Sequence, residues 1–309
     1  MRTPATHTVP ITFRSALMPL ATVLIWSVNT VVTKASSSVI SPSSISFYRW
    51  LLAFVVLLPF VGRAAWRERA VAMAHWKQLA ALGAMGMVIY QCLAYEAAYS
   101  TTAVNMGVIV ALMPLFSTLL ASILASERLT FARVAGAIVS LAGLVYLTSH
   151  GDPAGLLHGE LHVGDALMLV AVVSNSLYGV MLKRWAIPLS VIQQLLWQIG
   201  FSTLMLLPVW LLGAISPITS ANLPLILFAA IPTSLLAPLC WMIGVRQLGA
   251  ARSALFLNLL PVIVALLAWL WLGEHLQVFH LIGGALALFG VSLGLGEWRW
   301  MRVRRSASS

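Results

Sequence analysis

From about residue 15 to residue 297, apolar runs of about 20 residues alternate with short polar joints, the run length a helix needs to cross roughly 30 Å of hydrocarbon. The runs predict ten transmembrane helices, at 15–33, 44–61, 77–98, 103–125, 131–148, 162–184, 190–212, 223–246, 251–272 and 278–297. The longest polar joints are Gly62–Trp76 and Ser149–Leu161, and neither holds a soluble domain. No succession of short segments with alternating polarity is present, which disfavours an outer-membrane barrel. The first apolar run is too long for a signal-peptide core and reads as a retained span.

The pattern repeats. Residues 103–144 lie over residues 250–291 without a gap, at an offset of 147. Ala103/Ala250, Leu112/Leu259, Pro114/Pro261, Ala121/Ala268, Glu127/Glu274, Leu129/Leu276, Gly136/Gly283 and Gly143/Gly290 coincide. Each copy reads as an apolar helix with a proline near its middle, a Glu-bearing turn, and a second apolar helix rich in glycine. Spans 1–2 align more weakly with spans 6–7 at an offset of 149, through Ser27/Ser176, Val31/Val180, Lys34/Lys183 and Pro59/Pro208.

Charge orients this arrangement. Only 8% of residues are charged and 61% are hydrophobic, with a mean hydropathy of +0.96. A soluble chain carries about 25% charged residues, so this one is a membrane protein. With the N-terminus inside, 16 of the 18 Lys and Arg residues fall on the cytoplasmic side, leaving Lys34 and Arg49 outside. The net charge of +10 is thus a topology signal and does not point to nucleic acid. Both termini are expected in the cytoplasm. Five spans per half then require the second half to enter the membrane inverted. The expected fold is an all-α integral membrane protein, a 5+5 inverted-topology repeat around a central cavity. Residues 1–150 form one half and residues 151–309 the other.

Ten spans with the doubled series Ala103, Pro114, Glu127, Gly136, Gly143 and Ala250, Pro261, Glu274, Gly283, Gly290 resemble the drug/metabolite transporter superfamily, and more narrowly its EamA-type exporters. The segment Trp26–Asn29 and the aromatic third span are most similar to bacterial aromatic amino-acid exporters. The resemblance implies a basket of spans 1–4 and 6–9 around a central cavity, with spans 5 and 10 peripheral.

Polar side chains in hydrocarbon usually face the bundle interior or a wet cavity. Span 1 carries Trp26, Asn29, Thr30 and Thr33 on one helical face, and span 3 carries Gln91, Tyr95 and Tyr99 at steps of four. Span 6 adds Ser174, Asn175 and Tyr178; span 7 adds Gln194, Trp197, Gln198 and Phe201; span 8 adds Trp241; spans 4 and 9 add Asn105 and Asn258. The candidate substrate-binding set is Trp26, Asn29, Gln91, Tyr95, Tyr99, Asn175, Tyr178, Trp197, Gln198 and Trp241. Helix–helix hydrogen bonding is the competing role for the polar members, and an interfacial aromatic belt for Tyr99 and Trp197. Pro114 and Pro261 each remove a backbone hydrogen bond and are candidate gating bends. Glu127 and Glu274 sit at the membrane boundary, where each is expected to order the turn into the following helix. The glycines of spans 5 and 10 read as a close-packing surface, within the chain or between two copies.

No histidine falls inside a predicted span and no His/Asp/Glu grouping has metal-ligand spacing, so neither metal nor cofactor is called for. Cys92 and Cys240 lie in apolar runs and read as packing residues. No midplane carboxylate stands ready to carry a proton. The expected function is export of amino acids, aromatic ones preferred, across the bacterial inner membrane. The mechanism is alternating access by facilitated diffusion, in a monomer or a homodimer embedded in lipid. A multidrug or other metabolite carrier of the same fold, including a proton-coupled one, is the alternative. An intramembrane enzyme lacks a nucleophile–base set.

Overall fold

The computed structural model describes residues 13–124, 131–153, 162–248 and 256–295, and all regular structure in them is helical. The helices are α1 (Phe13–Ser36), α2 (Pro42–Arg67), α3 (Arg69–Ala74), α4 (Trp76–Gly83), α5 (Tyr90–Ala97), α6 (Ala103–Val110) and α7 (Met113–Leu124). They continue with α8 (Phe131–Thr148), α9 (Val163–Trp185), α10 (Val191–Leu212), α11 (Leu223–Phe228), α12 (Ala237–Leu248), α13 (Leu260–Leu272) and α14 (Val278–Leu295). Seven stretches are long and apolar enough to span a membrane: Ala16–Ser36, Pro42–Arg67, Trp76–Ala97, Ala103–Ala121, Val163–Trp185, Val191–Leu212 and Leu223–Trp241. Three shorter apolar helices, Val134–Leu147, Leu260–Leu272 and Val278–Gly290, fall where the fifth, ninth and tenth spans were expected.

Helix starts follow local chemistry. Pro42 opens α2 behind Ser41, whose hydroxyl accepts from the Ser44 amide. Ser190 and Gln193 close a reciprocal capping box at the start of α10. The two prolines expected to bend their helices instead sit just inside a helix start. Pro114 lies in the first turn of α7, after a break at Ala111–Leu112. Pro261 lies in the first turn of α13, after the 3₁₀ turn Leu257–Leu259. A proline costs least there, because the first amides of a helix have no intrahelical acceptor.

Two stretches widen into π-helix. Ala84–Ile89 joins α4 to α5, and Ala229–Leu236 joins α11 to α12. Displaced by 147 positions, the first falls on residues 231–236, inside the second. In the second, Ser234 Oγ donates to the Ala229 carbonyl at 2.8 Å and Thr233 Oγ1 to the Phe228 carbonyl at 3.3 Å. Hydroxyls thus close carbonyls that a loosened ladder serves poorly.

The helices pair as α2 with α10, α6 with α13 and α8 with α14, while α1 packs on α12 and α13 and α9 packs on α5 and α7. The α8–α14 seam is the tightest. A Cβ on Gly143 would lie 2.7 Å from the Gly283 carbonyl oxygen, and one on Gly290 would lie 2.6 Å from that of Gly136. Ser140 Oγ donates to the Ala287 carbonyl at 3.0 Å across the same seam. These glycines therefore close a contact within one chain. Gly143→Leu should separate the two helices and lower the thermal midpoint of the detergent-solubilised protein, by overpacking worth about 1–3 kcal/mol. Gly284→Ala, whose Cβ would meet its nearest neighbour at 3.7 Å, should leave the midpoint unchanged.

Candidate functional site

The sequence-predicted residues gather into three groups. In the first, Trp26 of α1 and Trp241 of α12 place their ring centroids 5.7 Å apart at an interplanar angle of 40°. Both rings are only partly buried. One turn along α1, the Oδ1 atom of Asn29 is enclosed and has no hydrogen-bond partner among the described residues. A buried acceptor left unpaired costs free energy, which makes it a candidate contact for a donor on a ligand.

The second group holds Gln91 and Tyr95, 4% and 1% exposed. Both are engaged by a residue that the charge count had placed outside the membrane. Arg49 of α2 is 3% exposed, and its Nη1 donates to Gln91 Oε1 and, at 3.3 Å, to the Tyr95 hydroxyl. Its Nε donates to Ser234 Oγ at 2.8 Å, reaching the second π segment. The expectation that Arg49 lies on the outer side is corrected here: it is enclosed among the helices. The signal was legible, because Arg49 falls inside its own apolar run and an intramembrane cation is itself a functional hint. Tyr99 does not join this group and is 50% exposed at the end of the same run.

The third group lies between α9 and α10. The Tyr178 hydroxyl donates to Gln198 Oε1 at 3.2 Å, and the Tyr178 ring packs over Gly86 of the first π segment. Trp197 lies 6.3 Å from Phe201, centroid to centroid, and its Nε1 is enclosed without a partner among the described residues. Asn175 approaches Met113 Sδ through Nδ2 at 3.0 Å, and Ser176 Oγ donates to the Met113 carbonyl at 3.1 Å. Residues 175 and 176 therefore hold the helix break that precedes Pro114.

Helix α6 is secured by two carboxylates from elsewhere in the chain. Asp165 of α9, 3% exposed, accepts from the Thr101 hydroxyl and from Asn105 Nδ2 at 3.3 and 3.4 Å. Glu274, which follows α13, accepts from the Ala103 and Val104 amides at 2.8 and 3.2 Å. The sequence reading set Glu274 against the helix that follows it; its carboxylate instead caps α6. The physical reason is unchanged, since exposed N-terminal amides and the helix dipole favour a carboxylate. Glu127 lies outside the described residues, as does the side chain of Asn258.

With this geometry established, comparison with known proteins gives the context. The sequence profile of the EamA-like transporter family matches residues 13–149 and again residues 162–295. The chain belongs to the EamA-like transporter family. It is a multi-pass membrane transporter. Its relatives include the uncharacterized transporter YyaM of Bacillus subtilis (strain 168), 26% identical over 84% of this chain and 86% of that one. Another is a "probable terminal-alkyne amino-acid exporter" of Streptantibioticus cattleyicolor, 29% identical over 75% and 76% of the two chains. Protein PecM of Dickeya dadantii (strain 3937) is 29% identical over 67% and 69%. A solved crystal structure superposes with a TM-score of 0.60 over 93% of this EamA-family chain and 98% of the other, at 21% identity, a likeness of fold alone.

The Glu274 contact gives a prediction. Glu274→Ala should speed hydrogen exchange at the Ala103 and Val104 amides several-fold, consistent with the loss of a cap worth about 1 kcal/mol. Exchange within α10 should not change.

Proposed function

We propose that this protein is a secondary carrier that exports amino acids, aromatic ones preferred, by alternating access without ion coupling. The observation that carries the reading is the Trp26–Trp241 pair, two partly buried rings that meet between α1 and α12, with the unpaired Asn29 acceptor one turn along α1. Such a pair suits a flat apolar side chain next to hydrogen-bonding groups. The amino-acid exporter among the relatives favours the same substrate class. The names YyaM and PecM carry no substrate, and a multidrug or metabolite carrier is the competing reading.

The proposed architecture is ten spans in two inverted halves, residues 1–150 and 151–309, with both termini on the cytoplasmic face of a bacterial inner membrane. Three observations support it. The family profile matches once in each half. The π segments occupy matched positions. The helix pairings are preserved when the halves are exchanged: α1 on α12 corresponds to α9 on α5, and α1 on α13 to α9 on α7. In this scheme Trp26 and Trp241 come from different halves, so rocking the halves would open and close the aromatic surface. The helix breaks before Pro114 and Pro261 are the proposed bending points.

Flux of radiolabelled phenylalanine into proteoliposomes tests the reading. Uptake should run down its own gradient and be unaffected by an imposed pH gradient. Accumulation driven by that gradient would replace uniport with proton antiport. Trp26→Ala should lower phenylalanine flux about tenfold, the scale of losing an aromatic contact together with its buried area, at unchanged membrane abundance.

A further inference from the structure

Arg49 is a buried cation whose hydrogen bonds bring it no counter-charge among the described residues. Its three hydrogen-bond partners are the neutral groups of Ser234, Gln91 and Tyr95, and its Cζ lies 5.1 Å from the centroid of the neighbouring Trp50 ring. None of these partners carries a negative charge. Asp165 is bonded to Thr101 and Asn105, and Glu274 to the amides of α6. Buried guanidinium groups ordinarily meet carboxylate or phosphate in a forked pair, and within a membrane such cations mark substrate pathways.

Bracing the helices does not require the charge. At the 149-position offset Arg49 lies over Gln198, which makes its own cross-helix bond to Tyr178 with a neutral amide. Charge has therefore been added in one half, at a point where neutral bonding serves the other. The partners of Arg49 also place it at backbone adapted to a site. Ser234 lies inside one π segment, and Gln91 follows the other by two residues. Single-turn π segments occur frequently at functional sites. Fixed by Nε and Nη1 to three side chains, the guanidinium is held in one orientation without being neutralised.

We infer that Arg49 is the anion receptor of the transport path and takes the carboxylate of a zwitterionic or anionic organic substrate. The inference rests on the carrier reading above and adds a charge requirement to it. An aromatic amino acid carries a group suited to each feature, a ring for the Trp26–Trp241 pair and a carboxylate for Arg49. A cationic or uncharged drug would meet only the first.

The test compares carboxylates with their amides on the purified full-length protein in detergent. 3-Phenylpropanoate and phenylalanine should raise the unfolding temperature at concentrations at least about tenfold lower than 3-phenylpropanamide and phenylalaninamide, the ratio expected from one charge-assisted contact. Arg49→Lys should keep that order, and Arg49→Gln should abolish it. Equal response to acid and amide, response to neither, or an undiminished preference in Arg49→Gln overturns the proposal. If Arg49→Gln cannot be recovered folded, the order in wild type and its retention in Arg49→Lys decide the matter. Preferential stabilisation by 3-phenylpropanoate in a protein that moves no amino acid in proteoliposomes would uphold the anion site while removing the amino-acid reading. Amino-acid flux undiminished by Arg49→Gln would do the reverse.

Discussion

Hydrocarbon offers no hydrogen-bond partners, so every polar group carried into it must be closed by the protein itself. The departures from regular helix in this chain are met by side chains from the same or neighbouring helices. Thr233 and Ser234 bond carbonyls within the second π segment, Ser176 bonds the Met113 carbonyl at the break before α7, and Glu274 takes the first amides of α6. The buried N-terminus of α6 is thus tied to the segment after α13, far away in sequence. Helix starts and breaks that would be liabilities in lipid become points where segments distant in sequence are joined.

The same constraint separates a fixed part of the bundle from parts that can move. At the α8–α14 seam the backbones approach so closely that Gly143, Gly283 and Gly290 leave no room for a methyl group. Such a contact resists sliding, because any shift drives backbone into backbone. The surfaces around Trp26, Trp241, Tyr178 and Trp197 are instead made of larger side chains, only partly buried, with enclosed polar atoms at Asn29 and Trp197. Side chains of that kind can repack. A carrier built this way would rock its lined surfaces about a rigid seam.

What could be read from the sequence was whatever depends on periodicity. Apolar run length located the seven stretches long and apolar enough to cross a membrane, and the glycines of the doubled pattern located the close-packed seam. What could not be read was which neighbour each polar group meets. Glu274 was placed at a helix N-terminus on electrostatic grounds, but the helix was a different one, because proximity in space between residues 274 and 103 leaves no trace in local spacing. Gln91 and Tyr95 lay on the expected polar stripe, yet their partner was hidden by a rule. Counting Arg49 as an outer-side cation for topology removed it from consideration as a residue inside its own span. Tyr99 shared the stripe but sits past the last turn of α5, where the pattern no longer constrains what a side chain faces.

The cost of Arg49 bears on what this site can be. A cation within a spanning helix is unfavourable, by up to about 2.5–3.5 kcal/mol at the helix centre on insertion scales, and neutral hydrogen bonds offset only part of that. Were Arg49 a strut alone, a glutamine would brace the same helices at lower cost, as Gln198 does on the opposite side with Tyr178. A charge that is expensive in the empty protein is most economical where a partner arrives and leaves with each cycle, since the attraction is then spent on selecting the cargo. The three neutral bonds fit that role. They hold the guanidinium in place through the part of the cycle when the carboxylate is absent, and they are weak enough not to compete with it when it returns.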